Sequence, residues 1–79
     1  MSFDSEKDRF ALNYNFCGIC NHELGQYEEA LANYNIAYKF FRNVKNMNTL
    51  QENLAGDILF NRGQTNSCLA GIENFKLSI

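Results

Sequence analysis

The sequence predicts an all-α fold of four helices in two antiparallel hairpins, and three observations carry that reading. Apolar residues recur at helical intervals through the middle of the chain. Tyr27, Ala30, Leu31, Tyr34, Ala37, Tyr38 and Phe41 form one stripe, with Glu28, Glu29, Asn33, Asn35 and Lys39 on the opposite side. Strand signals are lacking: alternation is rare, no Asn-Gly or Asp-Gly turn occurs, and β-branched residues are few and scattered. The punctuation falls at helical distances, since Gly25, the segment 43–48 and Gly63 divide the chain into helix-length pieces.

Taken in order, Ser2 to Asp8 read as a frayed lead-in, with Asp4 or Ser5 able to cap a helix by accepting a hydrogen bond from a free backbone N–H. The first helix runs to about Leu24. It carries one stripe of Phe10, Tyr14, Cys17 and Leu24 and a second of Leu12, Phe16 and Ile19, so neighbours are expected on two sides. Gly25 takes the place just past a helix end, where glycine tolerates positive φ. The second helix begins near Tyr27. Glu28 and Glu29 in its first turn and Lys39, Arg42 and Lys45 near its end agree with the direction of the helix dipole.

The segment NVKNMN, 43–48, reads as a loop, because asparagine side chains compete for backbone hydrogen bonds. A third helix is expected from about Thr49, as its cap, to Arg62, with Leu50, Leu54, Ile58 and Leu59 as its apolar set and Gly63 as its end. A fourth follows, bearing Cys68, Leu69, Ile72, Phe75 and Ile79, and it contains Gly71, which costs roughly 1 kcal/mol against alanine.

The two halves echo one another. At a single shift of 38 residues Gly18 pairs with Gly56, Gly25 with Gly63, Ala30 with Cys68, Tyr34 with Ile72, Asn15 with Asn53 and Cys20 with Ile58. Tyr14, Cys17-Gly18 and Asn21, followed by Gly25, Tyr27, Ala30, Tyr34 and Ala37, resemble the tetratricopeptide signature. Three departures stand out: Asn21 replaces an aromatic, Cys17 replaces leucine, and the chain has no proline to close the unit. The spacing is about one helical turn longer than the roughly 34 residues of the common repeat. That length is similar to the units of peptide-sensing regulators of Gram-positive bacteria.

The resemblance implies one domain over residues 1–79, with repeats at about 11–44 and 49–79, wound as a short right-handed α-solenoid. It implies that the second helix of each hairpin closely approaches Gly18 or Gly56. It also places Asn15, Ile19 and His22 on a concave peptide-binding face, joined by Asn53, Asp57 and Phe60. Asparagine suits that work because its amide both donates to and accepts from a peptide backbone. Tetratricopeptide grooves that grip a chaperone C-terminus use lysine and arginine; asparagine, isoleucine and aspartate at the matching places here argue against that ligand.

Composition narrows the classes further. A chain of 79 residues buries only about 60% of its unfolded surface, while 46% hydrophobic and 14% aromatic residues mark a folding sequence and not a disordered one. A net charge of −2 leaves no basic footprint for nucleic acid. No run of about 18 apolar residues exists for a membrane span, and the acidic, polar start MSFDSEKDRF is unlike a signal peptide, so a cytoplasmic protein is expected. Three cysteines, an odd set, argue for reduced thiols.

Cys17, Cys20 and His22 suggest zinc, but tetrahedral zinc takes four ligands and the chain adds only Cys68. The repeat resemblance puts all three cysteines at interior positions, where cysteine acts as a small hydrophobe. His22 lacks a nucleophile at a telling spacing, and adjacent Glu28 and Glu29 cannot share a helix face. No phosphate loop is present. The expectation is a non-enzymatic module without cofactor or metal that binds a protein or peptide segment, in the manner of a bacterial peptide-responsive regulator. The alternatives are a helical bundle acting through homo-oligomerisation and a cysteine-based metal or redox sensor. Two repeats leave Phe75, Leu77 and Ile79 uncovered, so an oligomer or part of a longer array is expected.

Overall fold

Gly25 turns the chain as its position predicts. It adopts φ +77°, the left-handed conformation that side chains with a Cβ resist. The Gln26 N–H donates to the Asn21 carbonyl at 2.8 Å and the Gly25 N–H to the His22 carbonyl at 3.0 Å, the paired bonds of a Schellman ending. This computed structural model of the protein describes residues 6–78. Among them lie three helices, α1 Glu6–Glu23, α2 Tyr27–Lys39 and α3 Thr49–Ser78, and no strand. The expected caps Asp4 and Ser5 fall outside the described residues, but Glu6 to Asp8 are helical and Asp8 is buried, so the lead-in expected to reach Asp8 does not.

α3 starts with a cap one residue earlier than expected. The Asn48 side-chain oxygen accepts from the Gln51 N–H at 2.9 Å, and the Gln51 side chain accepts from the Asn48 N–H at 3.1 Å. The pair forms a reciprocal capping box, with Asn48 in the role expected of Thr49.

The expected break at Gly63 does not occur: α3 is one helix of 30 residues, and the described residues form three helices where four were predicted. Glycine in a helix interior costs about 1 kcal/mol, far less than the roughly 3 kcal/mol of a proline, and a helix already nucleated propagates through it. Gly63 has no positive φ. The hydroxyls that follow Gly63 bond backwards instead of capping a new helix, Thr65 Oγ1 to the Asn61 carbonyl at 3.0 Å and Ser67 Oγ to the Gly63 carbonyl at 3.1 Å. With no turn to fold it back, α3 runs on, and Ala70 to Leu77 are exposed throughout.

The helices run up, down and up, with α1 and α3 parallel and α2 antiparallel to both. Asp8, Asn15 and His22 of α1 meet Gln51, Asn61 and Thr65 of α3 in ascending order. The apolar core is small: Ala11, Ala30, Tyr34, Ala37, Phe41, Leu54, Ala55 and Ile58. α1 buries neither of its predicted stripes but the line between them, Asp8, Ala11, Asn15 and Gly18. These residues recur at the three- and four-residue steps of one helix face. Small side chains along that line let two helices approach, while Phe10 and Tyr14 stack on Phe40 at the flank, at 6.0 and 6.3 Å between ring centroids.

Gly18 shows why closeness matters. A Cβ there would lie 2.6 Å from Cδ1 of Tyr34 and nearer still to Cε1, so the expected close approach of the second helix is found. Its echo is not. Gly56 has open space around it, Gly63 is helical where Gly25 turns, and Ile72 is 39% exposed where Tyr34 is 1%. The downstream half keeps the small residues of the first unit without a second helix to pack on them.

Candidate functional site

Three side-chain contacts stitch α1 to α3. The Gln51 amide donates to Asp8 Oδ1 at 2.9 Å, the Asn61 amide donates to Asn15 Oδ1 at 3.1 Å, and His22 Nδ1 lies 2.8 Å from Thr65 Oγ1. Because the Thr65 hydroxyl proton goes to the Asn61 carbonyl, Oγ1 is left to accept from His22 Nδ1–H, which assigns the histidine tautomer. Thr65 is fully buried and lies close enough to Tyr34 of α2 to influence its phenol, so its side chain sits where all three helices meet. Burial pushes the Tyr34 phenol above its ordinary value; Thr65 pulls it partly back, and the charges of Glu23 and Cys20 add to the rise. His22 is further fixed by an edge contact with the Tyr27 ring at 5.2 Å.

This seam takes up the first predicted binding trio. Asn15 is 6% exposed and committed to Asn61, Ile19 is half-buried against the core, and half-buried His22 is committed to Thr65. The second trio, Asn53, Asp57 and Phe60, is exposed, and Phe60 has 68% of its surface in solvent. At 100° per residue these three are turned roughly 110° around α3 from Ile58, Asn61 and Thr65, out of the seam. The structure therefore does not bring the two trios onto one face.

The reason is register. The sequence echo aligns the halves at 38 residues, whereas Asp8 with Gln51 and His22 with Thr65 stand 43 apart and Asn15 with Asn61 stands 46 apart. Slips of five and eight residues rotate a helix by roughly 140° and 80°, enough to turn a facing residue outward. The seam partners Gln51, Asn61 and Thr65 escaped sequence reading because polar residues on a helix read as solvent-facing; only the Asn48 to Gln51 capping spacing carried a local signal.

Around Phe60 the outward face of α3 forms a shallow groove of about 480 Å³ with Leu59, Gly63, Gln64 and Ser67. A second hollow of about 340 Å³ lies where residues 25–29 meet Leu69, Ile72 and Lys76 of α3. Of the second stripe on α1, Leu12 and Phe16 stay exposed while Ile19 packs half-buried against the core, and Leu24, just past the helix end, is exposed too.

The cysteines correct the expectation of interior packing: Cys17 and Cys20 are exposed and Cys68 is only partly covered. α1 meets α2 along Ala11, Asn15 and Gly18, which turns positions 17 and 20 away from the core. Among the described residues no three His, Cys, Asp or Glu side chains gather where they could hold a metal ion. No described helix is long and apolar enough to cross a membrane. Compared with known protein families, with curated proteins and with solved structures, the chain finds no match in any of the three.

Proposed function

We propose that this chain is a non-catalytic interaction module that binds a protein or peptide segment along the outward face of α3, through Asn53, Asp57 and Phe60. The observation that carries the reading is Phe60, a large aromatic side chain 68% exposed beside an open groove, with amide and carboxylate groups on the same line of the helix. Phenylalanine buries roughly 150–250 Å² when covered, which makes it an anchor of the kind that dominates small interfaces. Asn15, Ile19 and His22 then act as supports that dock α3, not as ligand contacts. In the terms of the tetratricopeptide resemblance, α1 and α2 are one unit and α3 is the first helix of the next. The narrower likeness to peptide-responsive regulators makes the ligand a short peptide in a reducing, cytoplasmic setting, which the two exposed thiols favour.

The test is selection of binders from a randomised peptide library displayed on phage, followed by measured affinity. Peptides enriched on the protein are expected to bind the Asn53→Ala, Asp57→Ala, Phe60→Ser variant at least tenfold more weakly, with its thermal midpoint unchanged. Enrichment of peptides that bind protein and variant alike would remove α3's outer face as the site.

A second reading is favoured by Leu12 and Phe16 on α1 and Leu24 just past its end, together with Phe75 and Leu77 on α3, all exposed. On that reading copies of the chain self-associate and cover these residues. Sedimentation velocity distinguishes the two, since self-association makes the sedimentation coefficient rise with concentration and Phe16→Ser abolish the rise.

A further inference from the structure

The exposed face of α1 carries two thiols that the interaction reading does not use. Cys17 and Cys20 are three residues apart on α1 and both are exposed. Such a pair shares one helix face with its Cβ atoms about 5–6 Å apart. A disulfide needs about 3.5–4.5 Å, so oxidising the pair to a disulfide would require unwinding α1 locally. That unwinding is opposed at Gly18, between the two cysteines, where the helix backbone lies against the Tyr34 ring. An ion with metal–sulfur bonds of about 2.3 Å bridges the same gap with the helix intact.

The donor set also selects the ion. No third His, Cys, Asp or Glu joins the pair among the described residues, so tetrahedral zinc would lack half its shell, and hard cations prefer oxygen. Soft thiolates favour cuprous ions, for which two sulfur donors form a complete linear shell. We propose that Cys17 and Cys20 chelate one soft monovalent cation of the cuprous class. In the binding step two S–H bonds break and two S–Cu bonds form. Both protons pass to solvent, and the oxidation states of sulfur and copper do not change.

The test is an anaerobic titration of the reduced chain with cuprous ion against a chromophoric cuprous chelator, with proton release followed in weakly buffered solution. One ion per chain and two protons per ion are expected, independent of protein concentration. Losing the chelate removes an effective concentration advantage of about 10²–10⁴. Cys17→Ser and Cys20→Ser are therefore each expected to weaken binding by about 100-fold or more, and Cys68→Ser to leave it unchanged. Because both positions are exposed, circular dichroism should show the same helix content in every variant. Half an ion per chain with dimerisation, or equal loss on Cys68→Ser, would overturn the proposal.

Discussion

At the scale of single residues, the glycines separate by what surrounds them. Gly18 supports the Tyr34 ring, and Gly18→Ala places a methyl inside contact distance of it, so the gain of about 1 kcal/mol in helix propensity is outweighed by overpacking of about 1–3 kcal/mol. Gly56 and Gly63 face open space on α3, and alanine at either should stabilise by up to about 1 kcal/mol. In a domain this small 1 kcal/mol moves the thermal midpoint by about 4–8 °C, so melting curves shifting in opposite directions are the expected result. Tyr34 supplies a pH dependence. Its folded-state value is raised, chiefly by burial, so the folded state favours the neutral phenol. That stability is fully present below the unfolded tyrosine value of about 10 and is lost as pH rises through the folded value. Denaturant melts should weaken above about pH 10, and Tyr34→Phe should flatten this decline.

At the scale of elements, α3 is two helices in one. Its first part is capped by Asn48 and buries Leu54, Ala55, Ile58 and Thr65, whereas Ala70 to Leu77 touch solvent throughout. Asn48→Ala should cost about 1 kcal/mol and Thr49→Ala a few tenths at most, measured by chemical denaturation, because the side-chain bond to the Gln51 N–H comes from Asn48. Helical stretches below about 12–15 residues are marginal without tertiary support. Amides from 70 to 77 should therefore exchange with solvent well before those near Ile58. Equal protection along α3 would mean that another surface covers its second half.

At the scale of the whole molecule, a thin apolar core is supplemented by a polar seam. Asp8, Asn15 and Thr65 are the buried polar residues, each bonded across the α1–α3 interface, and no buried side-chain nitrogen or oxygen among the described residues lacks a partner. Such groups stabilise little when paired and cost about 1–3 kcal/mol when one partner is removed. Thr65→Val deletes the acceptor for His22 and the Tyr34 contact together. It should lower stability by that amount while leaving helix content unchanged, as read by denaturant melts beside circular dichroism. The same seam sets the register of α3, and through it the residues presented outward.

The helical class, the loop at 43–48, the turn at Gly25 and the close approach at Gly18 were all legible in the sequence. Each depends on local chemistry: periodicity, a residue that accepts positive φ, or a missing side chain. The continuity of α3 through Gly63, the burial of Asn15 and the exposure of Cys17 and Cys20 were not. Continuity through Gly63 rests on the small cost of glycine in a helix already nucleated. The burial of Asn15 and the exposure of the cysteines depend on which face of each helix meets its neighbour, and polar partners 43 and 46 residues apart settle that without leaving a hydrophobic pattern to read. Sequence determined that the chain is helical and where the first hairpin turns. Only tertiary packing decided the rotation of its helices, because turning a helix changes its contacts and not its local periodicity.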